Sequence, residues 1–229
     1  MKRLLNLAYA FLASIRSGDV RVVANELRRR LWSEWTHYGL ARDLDEPFSA
    51  PNAKIPLEIR TLRDSDLPRL LGMNADYVSD RGPYVRMHRL NFVGKSIGTC
   101  YVAVTEGDEP CYMQWLMGAH ENDAIQRYFK GIFPILAPDE ALLEYAFTRE
   151  DYQGKGVMPA AMARIAEKAE TRGGRRVITF VDHHNVPALK GCQRAGFSPY
   201  LLRLDRWRLF RRRVSFRRLP AGTPYPFEA

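Results

Sequence analysis

Residues 152–160 read YQGKGVMPA, and this stretch decides the fold because it joins an apolar run to a helix-like run. Gly154, Lys155 and Gly156 lie in the expected turn between a buried strand and a helix. The first amides of a helix have no intrahelical acceptor, and the helix dipole adds partial positive charge there. Glycine permits a positive φ and lets a ligand approach the backbone closely. The junction therefore predicts a phosphate-binding turn.

The segments on both sides of this turn read as alternating strands and helices. Residues 140–148, EALLEYAFT, form an apolar run that is typical of a central strand, and residues 157–172 predict a helix. Residues 176–182, RVITFVD, predict a second buried strand, and residues 185–195, NVPALKGCQRA, predict a second helix. Neither the Walker spacing nor the dinucleotide fingerprint is present, so the turn is not one of those nucleotide loops.

Two motifs in this region resemble those of the GNAT acyltransferase superfamily. The turn resembles motif A, Gln/Arg-x-x-Gly-x-Gly/Ala, beginning at Gln153; Met158 stands where Gly or Ala is usual. The following helix resembles motif B, an Asn-x-x-Ala sequence with a later Gly-Phe pair. Those places are filled by Asn185, Ala188, Gly196 and Phe197. The motifs occur in order, with a helix and a strand between them, and the resemblance covers residues 55–210 in outline.

The resemblance implies a GNAT fold of the α/β (α+β) class. Its mixed sheet of six to seven strands would be splayed between strands 4 and 5, with flanking helices and an N-terminal helical extension. Acetyl-CoA or another acyl-CoA would lie in the cleft as the donor, with its pyrophosphate on the turn. Its pantetheine arm would run along the end of the strand of residues 140–148. The implied donor-binding residues are Phe147, Thr148, Arg149, Gln153, Gly154, Lys155, Gly156, Val157, Met158 and Asn185.

Acyl transfer from a thioester to an amine needs a base, a stabilised oxyanion and a proton for the departing thiolate. Glu144 is an acid inside the apolar run of residues 140–148, where burial would raise its pKa toward the working range of a base. Many members of the family use a glutamate on this strand. The alternative is a structural Glu144 that pairs with an arginine or faces solvent.

The acid that protonates the thiolate is a second catalytic question. The family often has a tyrosine four residues before the motif B glycine, and Cys192 occupies that place. Cys192 is therefore the candidate, and a buried small residue is the structural alternative. Tyr200, Asp182, His183 or water could substitute. A covalent route through Cys192 is disfavoured because the sequence shows no conspicuous Cys–His–Asp set.

The acceptor pocket is expected between the irregular segment of residues 74–94 and the strands around Trp115. The predicted acceptor-binding residues are Tyr84, Arg86 and Trp115. Polar and basic side chains would suit an acidic or sugar-like acceptor, and a solvated loop is the alternative. The three cysteines and five histidines show no metal-ligand spacing, so we predict no metal.

The length of 229 residues allows one sizeable domain with an appendage. Residues 1–17 favour a retained amphipathic helix over a signal peptide. A second helix is predicted to carry Leu27, Leu31 and Trp35 on one face, and residues 41–56 read as a linker. The predicted division is a helical extension with linker (1–50), an acyltransferase domain (51–215) and a C-terminal tail (216–229).

The charge balance of 35 Lys+Arg against 26 Asp+Glu, formally +9, suits an anionic ligand, and an anionic donor would account for part of it. Residues 206–219 contain many arginines interleaved with aromatic residues. This pattern suggests that the protein could contact an anionic membrane peripherally. A charge-guarded edge strand is the commoner explanation. We expect a cytoplasmic protein without a nucleic-acid partner. An acyl carrier protein, a homodimer and contact with the inner membrane surface remain open.

Three functions stay open at this point. The first is an acyl-CoA-dependent N-acyltransferase that moves an acetyl group by default to a small-molecule or lipid-linked amine through a tetrahedral intermediate. The second is a long-chain N-acyltransferase that uses acyl-CoA or acyl carrier protein near the membrane. The third is a non-catalytic acyl-CoA-binding module, kept open by the departures at Met158 and Cys192.

Overall fold

The computed structural model describes residues 20–71 and 90–228, which build one eight-stranded mixed sheet. The strands are β1 (Trp32–Asp43), β2 (Glu58–Thr61), β3 (Thr99–Val104), β4 (Pro110–Gly118), β5 (Glu140–Thr148), β6 (Arg176–Asp182), β7 (Ser198–Arg208) and β8 (Arg211–Arg218). Their order across the sheet is β2-β3-β4-β5-β6-β1-β7-β8. The helices include α1 (Val20–Leu31), α2 (Leu67–Leu71), α3 (Asn122–Phe129), α4 (Val157–Glu167) and α5 (Val186–Arg194).

β5 and β6 are the parallel neighbours that open the cleft. Among the described residues they pair at three positions only, the last being Leu142 with Ile178. β5 continues to Thr148 and β6 to Asp182, so the strands diverge beyond that pair. Counted from β2, these are the fourth and fifth strands of the sheet. The predicted α/β class, the flanking helices and the position of the splay are confirmed.

β1 is the main departure from the sequence-based expectation. The pattern predicts a helix through Trp35 and a linker from residue 41, but α1 ends at Leu31 and residues 32–43 form a strand. β1 lies between β6 and β7 and is antiparallel to both. The spacing of Leu27, Leu31 and Trp35 fits a helix locally, yet pairing on both edges satisfies the backbone groups of an extended chain. The sheet therefore has eight strands rather than six to seven, and residues 32–43 are not part of a helical extension.

Helices cover both faces of the sheet. On the first, which we call the α4 face, α4 and α5 pack against sheet residues, with Ile165 and Val177 in one buried cluster. On the second, which we call the α3 face, Leu70 of α2 and Ile125 of α3 pack in a cluster with Ile178. Successive residues of β6 thus divide between the two faces, as the period of two along a strand requires.

Two predicted segments fall wholly or largely outside the described residues: the amphipathic helix of residues 1–17 and the irregular segment of residues 74–94. Within residues 20–71 and 90–228, no helix is long and apolar enough to cross a membrane. The predicted C-terminal tail begins inside β8 and packs back on the domain. Tyr225 is buried there, and its hydroxyl donates to the carbonyl of Phe197 at 2.6 Å.

Candidate active site

The glycine turn predicted from the sequence lies at the N-terminus of α4. Gly154 and Gly156 have φ values of 72° and 74°, in the left-handed region that glycine adopts without a steric penalty. The turn is anchored by the amide of Lys54, which donates to the carbonyl of Lys155 at 2.8 Å. Across the described part of the chain, no acceptor takes the amide hydrogens of residues 154–158. Five successive amides are therefore available to an anion at the positive end of a helix.

Two basic side chains add charge to this turn. The ammonium of Lys155 lies 4.9 Å from the ring centroid of Tyr152. Nη2 of Arg194, at the end of α5, lies 3.7 Å from the position that a Cβ on Gly156 would occupy. Neither has a carboxylate within salt-bridge distance among residues 20–71 and 90–228. The sequence reasoning missed Arg194; the available signal was its place two residues before the motif B glycine.

Met158 departs from the family pattern, and the structure shows how the larger side chain fits. It packs against Gly191 of α5, where a Cβ would lie 2.7 Å from the Met158 sulfur. Only glycine at position 191 leaves that space free. The departure is thus accommodated between two helices and leaves the amide of Met158 available in the turn.

The end of β5 carries three of the predicted donor-binding residues. Phe147 and Thr148 pair with β4 on one edge of the strand, and the other edge faces the space from which β6 has diverged. An extended pantetheine arm could add to that edge as a strand does. The guanidinium of Arg149 already forms ion pairs with Glu109 and Asp151, so its charge is neutralised within the protein.

Asn185 is the N-cap of α5. Its Oδ1 accepts the amide hydrogen of Ala188 at 3.3 Å, which satisfies one of the first amides of the helix. The side-chain oxygen is therefore committed to the cap, and the side-chain NH₂ group is what Asn185 would offer to the pantetheine.

Glu144 bridges the splay. Its Oε1 accepts the amide hydrogen of Phe180 in β6 at 3.0 Å, at a level where the two strands no longer pair. The β4–β5 register shifts just beyond Glu144, and Tyr145 takes a φ of 58°, so β5 is bulged there. Burial raises the pKa of Glu144 to about 7, against the opposing effects of Arg203 and the Phe180 amide. A carboxyl with that pKa is suited to general-base catalysis near neutral pH.

Cys192 lies in the packed core of the α4 face and not across the splay, where Glu144 lies. Its side chain is 1% exposed in the core of the α4 face, with its sulfur 3.8 Å from the sulfur of Met162. Burial raises the pKa of the thiol, so the group keeps its proton but is enclosed. This geometry favours the structural alternative of a buried small residue. The assignment of Cys192 as the acid stays a prediction.

The other candidate acids divide between the two ends of the cleft. Tyr200 lies against Arg176, with the guanidinium 4.5 Å from its ring centroid, at the end where β5 and β6 are paired. Asp182 and His183 lie at the opposite, splayed end, where β6 stops. Asp182 accepts the amide hydrogen of His184 at 2.8 Å. Only Asp182 and His183 are thus at the end where the thioester would react.

Of the predicted acceptor-binding residues, Tyr84 and Arg86 lie outside the described residues. Trp115 is 3% exposed on the α3 face, packed edge-on against Phe92 with a centroid distance of 5.2 Å. It pairs in register with Glu144, so it supports the strand that carries the candidate base. Its buried ring leaves little surface for an acceptor.

A row of polar side chains on the α3 face was not found from the sequence. Asp182, His37 and Arg203 are register neighbours across β6, β1 and β7. Burial, reinforced by the charge of Arg203, lowers the pKa of His37 to about 4, so the imidazole is neutral at physiological pH. The row escaped prediction because it exists only when β1 is placed between β6 and β7.

The domain thus combines a splayed mixed sheet, a glycine turn with open amides at the start of α4 and a glutamate across the splay. Residues 67–197, more than half of the chain, match the acetyltransferase (GNAT) family. The chain belongs to that family, whose members use acetyl-CoA as the acyl donor. The resemblance drawn from the two motifs is therefore confirmed.

Solved structures with the same fold include an acetyltransferase of the GNAT family from Colwellia psychrerythraea, with a TM-score of 0.50 and 12% identity over 82% of this chain and 57% of that one. A GCN5-related N-acetyltransferase from Sphaerobacter thermophilus gives 0.50 and 16% over the same shares, 82% and 57%. This chain therefore spans little more than half the length of either structure.

A third structure contains a GCN5-related glucosamine N-acetyltransferase region of a fungal multi-domain GH3 β-N-acetylglucosaminidase. It gives a TM-score of 0.52 and 14% identity over 80% of this chain and 22% of that one. At such identities the likeness shows the fold alone. Among curated protein sequences, none matches this chain.

Proposed function

We propose that this protein is an N-acyltransferase that moves an acyl group, acetyl by default, from coenzyme A to an amine. The observation that carries the proposal is Glu144, whose carboxyl crosses the same splay that the glycine turn borders. Its pKa of about 7 leaves a substantial fraction ionised at neutral pH and able to accept a proton. A non-catalytic module would not need a half-buried carboxylate at this place.

The residues divide the reaction between them. The amides of residues 154–158 would donate to the donor pyrophosphate, with the charges of Lys155 and Arg194 beside it. Glu144 would take a proton from the acceptor ammonium, directly or through a water, and the free amine would attack the thioester carbonyl carbon. The carbon–sulfur bond then breaks, and the thiolate takes a proton from an acid. Asp182 and His183 are better placed than the enclosed Cys192 to supply it.

A thiol-release assay tests this proposal. The full chain is mixed with acetyl-, octanoyl- or palmitoyl-CoA and a panel of amines, and free coenzyme A is measured. We expect release that requires both an acyl-CoA and an amine, with acetyl-CoA as the best donor. Calorimetry with coenzyme A completes the design, because binding without release from any amine would identify a non-catalytic module. Release from the long-chain donors alone would identify the long-chain enzyme.

A second candidate is action on a lipid-linked amine at an anionic membrane, and the β7–β8 hairpin favours it. The two-residue turn places Leu209 and Phe210 at φ values of 47° and 64°, which bulky residues rarely adopt. Their side chains are 75% and 50% exposed, and Trp32 beside them is 71% exposed. Three exposed arginines follow this tip at the start of β8: Arg211, Arg212 and Arg213. Arg217 and Arg218 are also exposed but lie at the other end of the strand. Exposed apolar residues beside basic residues suit shallow insertion among anionic headgroups.

Replacing the tip by the residues that such a turn prefers is expected to separate stability from membrane binding. The double variant Leu209→Asn, Phe210→Gly relieves the backbone strain, so its unfolding temperature should rise. Removal of two apolar side chains should weaken binding to phosphatidylglycerol vesicles at low salt by at least about tenfold. Ile135→Ser is the control, because Ile135 is 75% exposed elsewhere on the surface. Wild-type protein that fails to float with such vesicles would remove this candidate.

A further inference from the structure

Arg203 of β7 is a buried cation without a counterion in contact. Its side chain is 5% exposed, and no carboxylate of residues 20–71 or 90–228 lies within 4.0 Å of it. The neighbouring buried acid on the same strand, Asp205, is already paired with Arg212. Arginine is almost never this buried without a partner, because removing its charge from water is costly. The exception calls for a physical explanation.

The contacts of Arg203 hold its guanidinium in place without using most of its donors. Nη1 donates to the carbonyl of Ile132 at 3.1 Å. The guanidinium carbon lies 5.3 Å from the ring centroid of Phe180 and 5.5 Å from that of Phe133. Nε is buried and has no acceptor in the structure. The guanidinium thus rests against two adjoining rings, while part of its hydrogen-bonding fork is unsatisfied.

Arg203 is connected to the candidate base through Phe180. The amide of Phe180, the residue on which the guanidinium rests, is the one that donates to Glu144. The charge of Arg203 also acts on Glu144, opposing the rise in the pKa of that carboxyl. Nδ1 of His37, the register neighbour of Arg203 on β1, is a second buried polar atom without a partner. Two unsatisfied polar groups therefore lie on the β6 side of the splay that Glu144 bridges.

We propose that Arg203, with His37 beside it, binds an oxyacid group of the acceptor, a carboxylate or a phosphate, so that the acceptor is an amine that carries an acid. This inference rests on the proposed function and names the substrate class of the same site. The guanidinium fork matches the two oxygens of such a group, and burial makes a charge-assisted hydrogen bond strong. The amine of the same molecule would then lie near Glu144.

The competing explanation is that Arg203 only offsets the charges of Glu144 and Asp182 at a distance. A buried charge kept for that purpose alone is a poor stabiliser, because an apolar side chain of similar size often serves as well. The two explanations differ in their consequences. Only an oxyacid subsite makes the preference between an acidic amine and its neutral analogue depend on Arg203.

The test uses two matched pairs of amines with the full chain: L-phenylalanine with L-phenylalaninamide, and phosphoethanolamine with ethanolamine. For each pair we compare kcat/KM in thiol release with acetyl-CoA, and affinity by calorimetry in the presence of coenzyme A. We expect wild-type protein to prefer the acidic member of one pair by about 10- to 100-fold. The pair that shows the preference tells a carboxylate from a phosphate.

Arg203→Met should abolish that preference, so that kcat/KM for the acidic member and kcat/KM for the neutral member agree within about threefold. Arg203→Lys keeps the charge, loses the planar fork and should retain only part of the preference, so it also serves if the Met variant does not fold. Arg42→Met is the matched control, since Arg42 is equally buried at 5% exposed but is paired with Glu167 at 3.1 Å on the α4 face. It should leave the preference intact.

The outcomes separate this inference from the proposed function. Acidic amines that bind tightly and depend on Arg203, yet release no thiol, would support the subsite and contradict the enzyme. Thiol release without any preference for an acidic amine, or a preference that survives Arg203→Met, would overturn the subsite and leave the enzyme standing. Equal affinity for both members of each pair, without turnover, would overturn both.

Discussion

Glu144→Gln is expected to slow acyl transfer by about 10²- to 10⁴-fold while coenzyme A binds as it does to the wild type. Glutamine keeps the oxygen that accepts the Phe180 amide hydrogen, so the splay stays bridged. What the variant loses is a group that can accept a proton from the acceptor. Steady-state thiol release with saturating acetyl-CoA measures the loss, and calorimetry with coenzyme A shows that the donor site is intact.

The pH dependence gives this prediction a second readout. Because the pKa of Glu144 is raised to about 7, wild-type kcat/KM should increase with pH and level off above about 7 as the carboxylate forms. The glutamine variant should lack that limb. Glu140→Gln is the control, because Glu140 lies on the same strand but pairs with Arg176 at the closed end of the cleft. Full activity in Glu144→Gln would falsify the role of this carboxyl as the base.

The same substitution should have the opposite effect on stability. A carboxyl whose pKa is raised by folding, here from 4.5 to about 7, stabilises the fold fully below pH 4.5. That contribution is lost as the pH rises through 7, because the carboxyl ionises where burial opposes the charge. Glutamine stays neutral throughout. Denaturant unfolding at pH 5 and pH 8.5 should therefore show an advantage for the variant that grows with pH, up to about 3 kcal/mol.

Gly154→Asp is expected to weaken coenzyme A binding by at least about 100-fold. Gly154 has a φ of 72° and nothing within 4 Å of the position of a Cβ, and aspartate tolerates this backbone region better than most residues. The added carboxylate would lie among the amides of residues 154–158, which we propose bind the pyrophosphate of coenzyme A. Two unit charges about 4 Å apart repel by about 4 kcal/mol at an effective dielectric constant of about 20. Calorimetry with coenzyme A, repeated at two salt concentrations, measures the effect.

A matched variant lies at the other end of the same helical segment. Gly173 has a φ of 77° and equally open surroundings, so Gly173→Asp adds the same side chain under the same backbone strain. Its carboxylate is remote from the turn because the whole of α4 and a further helical turn, residues 170–172, intervene. We expect its affinity for coenzyme A to stay within about twofold of wild type. Equal losses in both variants would show that the fold, and not the anion site, had been damaged.

The glycine turn at the start of α4 could be predicted from the sequence because its signals are local. The turn around Gly154 needs only a few consecutive residues, and each constrains its own backbone. Glu144 was visible for a similar reason, since an acid within an apolar strand is conspicuous without knowledge of its neighbours. Cys192 shows what a motif cannot predict. The motif locates the residue along α5, but whether its sulfur is enclosed depends on how α5 packs.

The acceptor side could not be inferred because it depends on long-range pairing. Arg203 and His37 are far apart in sequence and meet only through the antiparallel register of β1 and β7. Residues 32–43 carry helix-like spacing at their start, so the local pattern favours the wrong element. The role predicted for Trp115 stays a prediction for a related reason, because an aromatic residue beside a cleft can line it or support it, and its burial favours support.

The position of β1 between β6 and β7 affects the order in which the sheet can form during synthesis. β1 is made before both of its neighbours, which begin more than 130 residues after it ends. Throughout most of translation this strand therefore has both edges unsatisfied, the condition in which strands pair with other chains. Closure must also overcome the entropy of joining distant segments, which slows folding. We expect the newly made polypeptide to depend on chaperones until β6 and β7 have left the ribosome, and β1 to be among the last strands of the sheet to become fully paired.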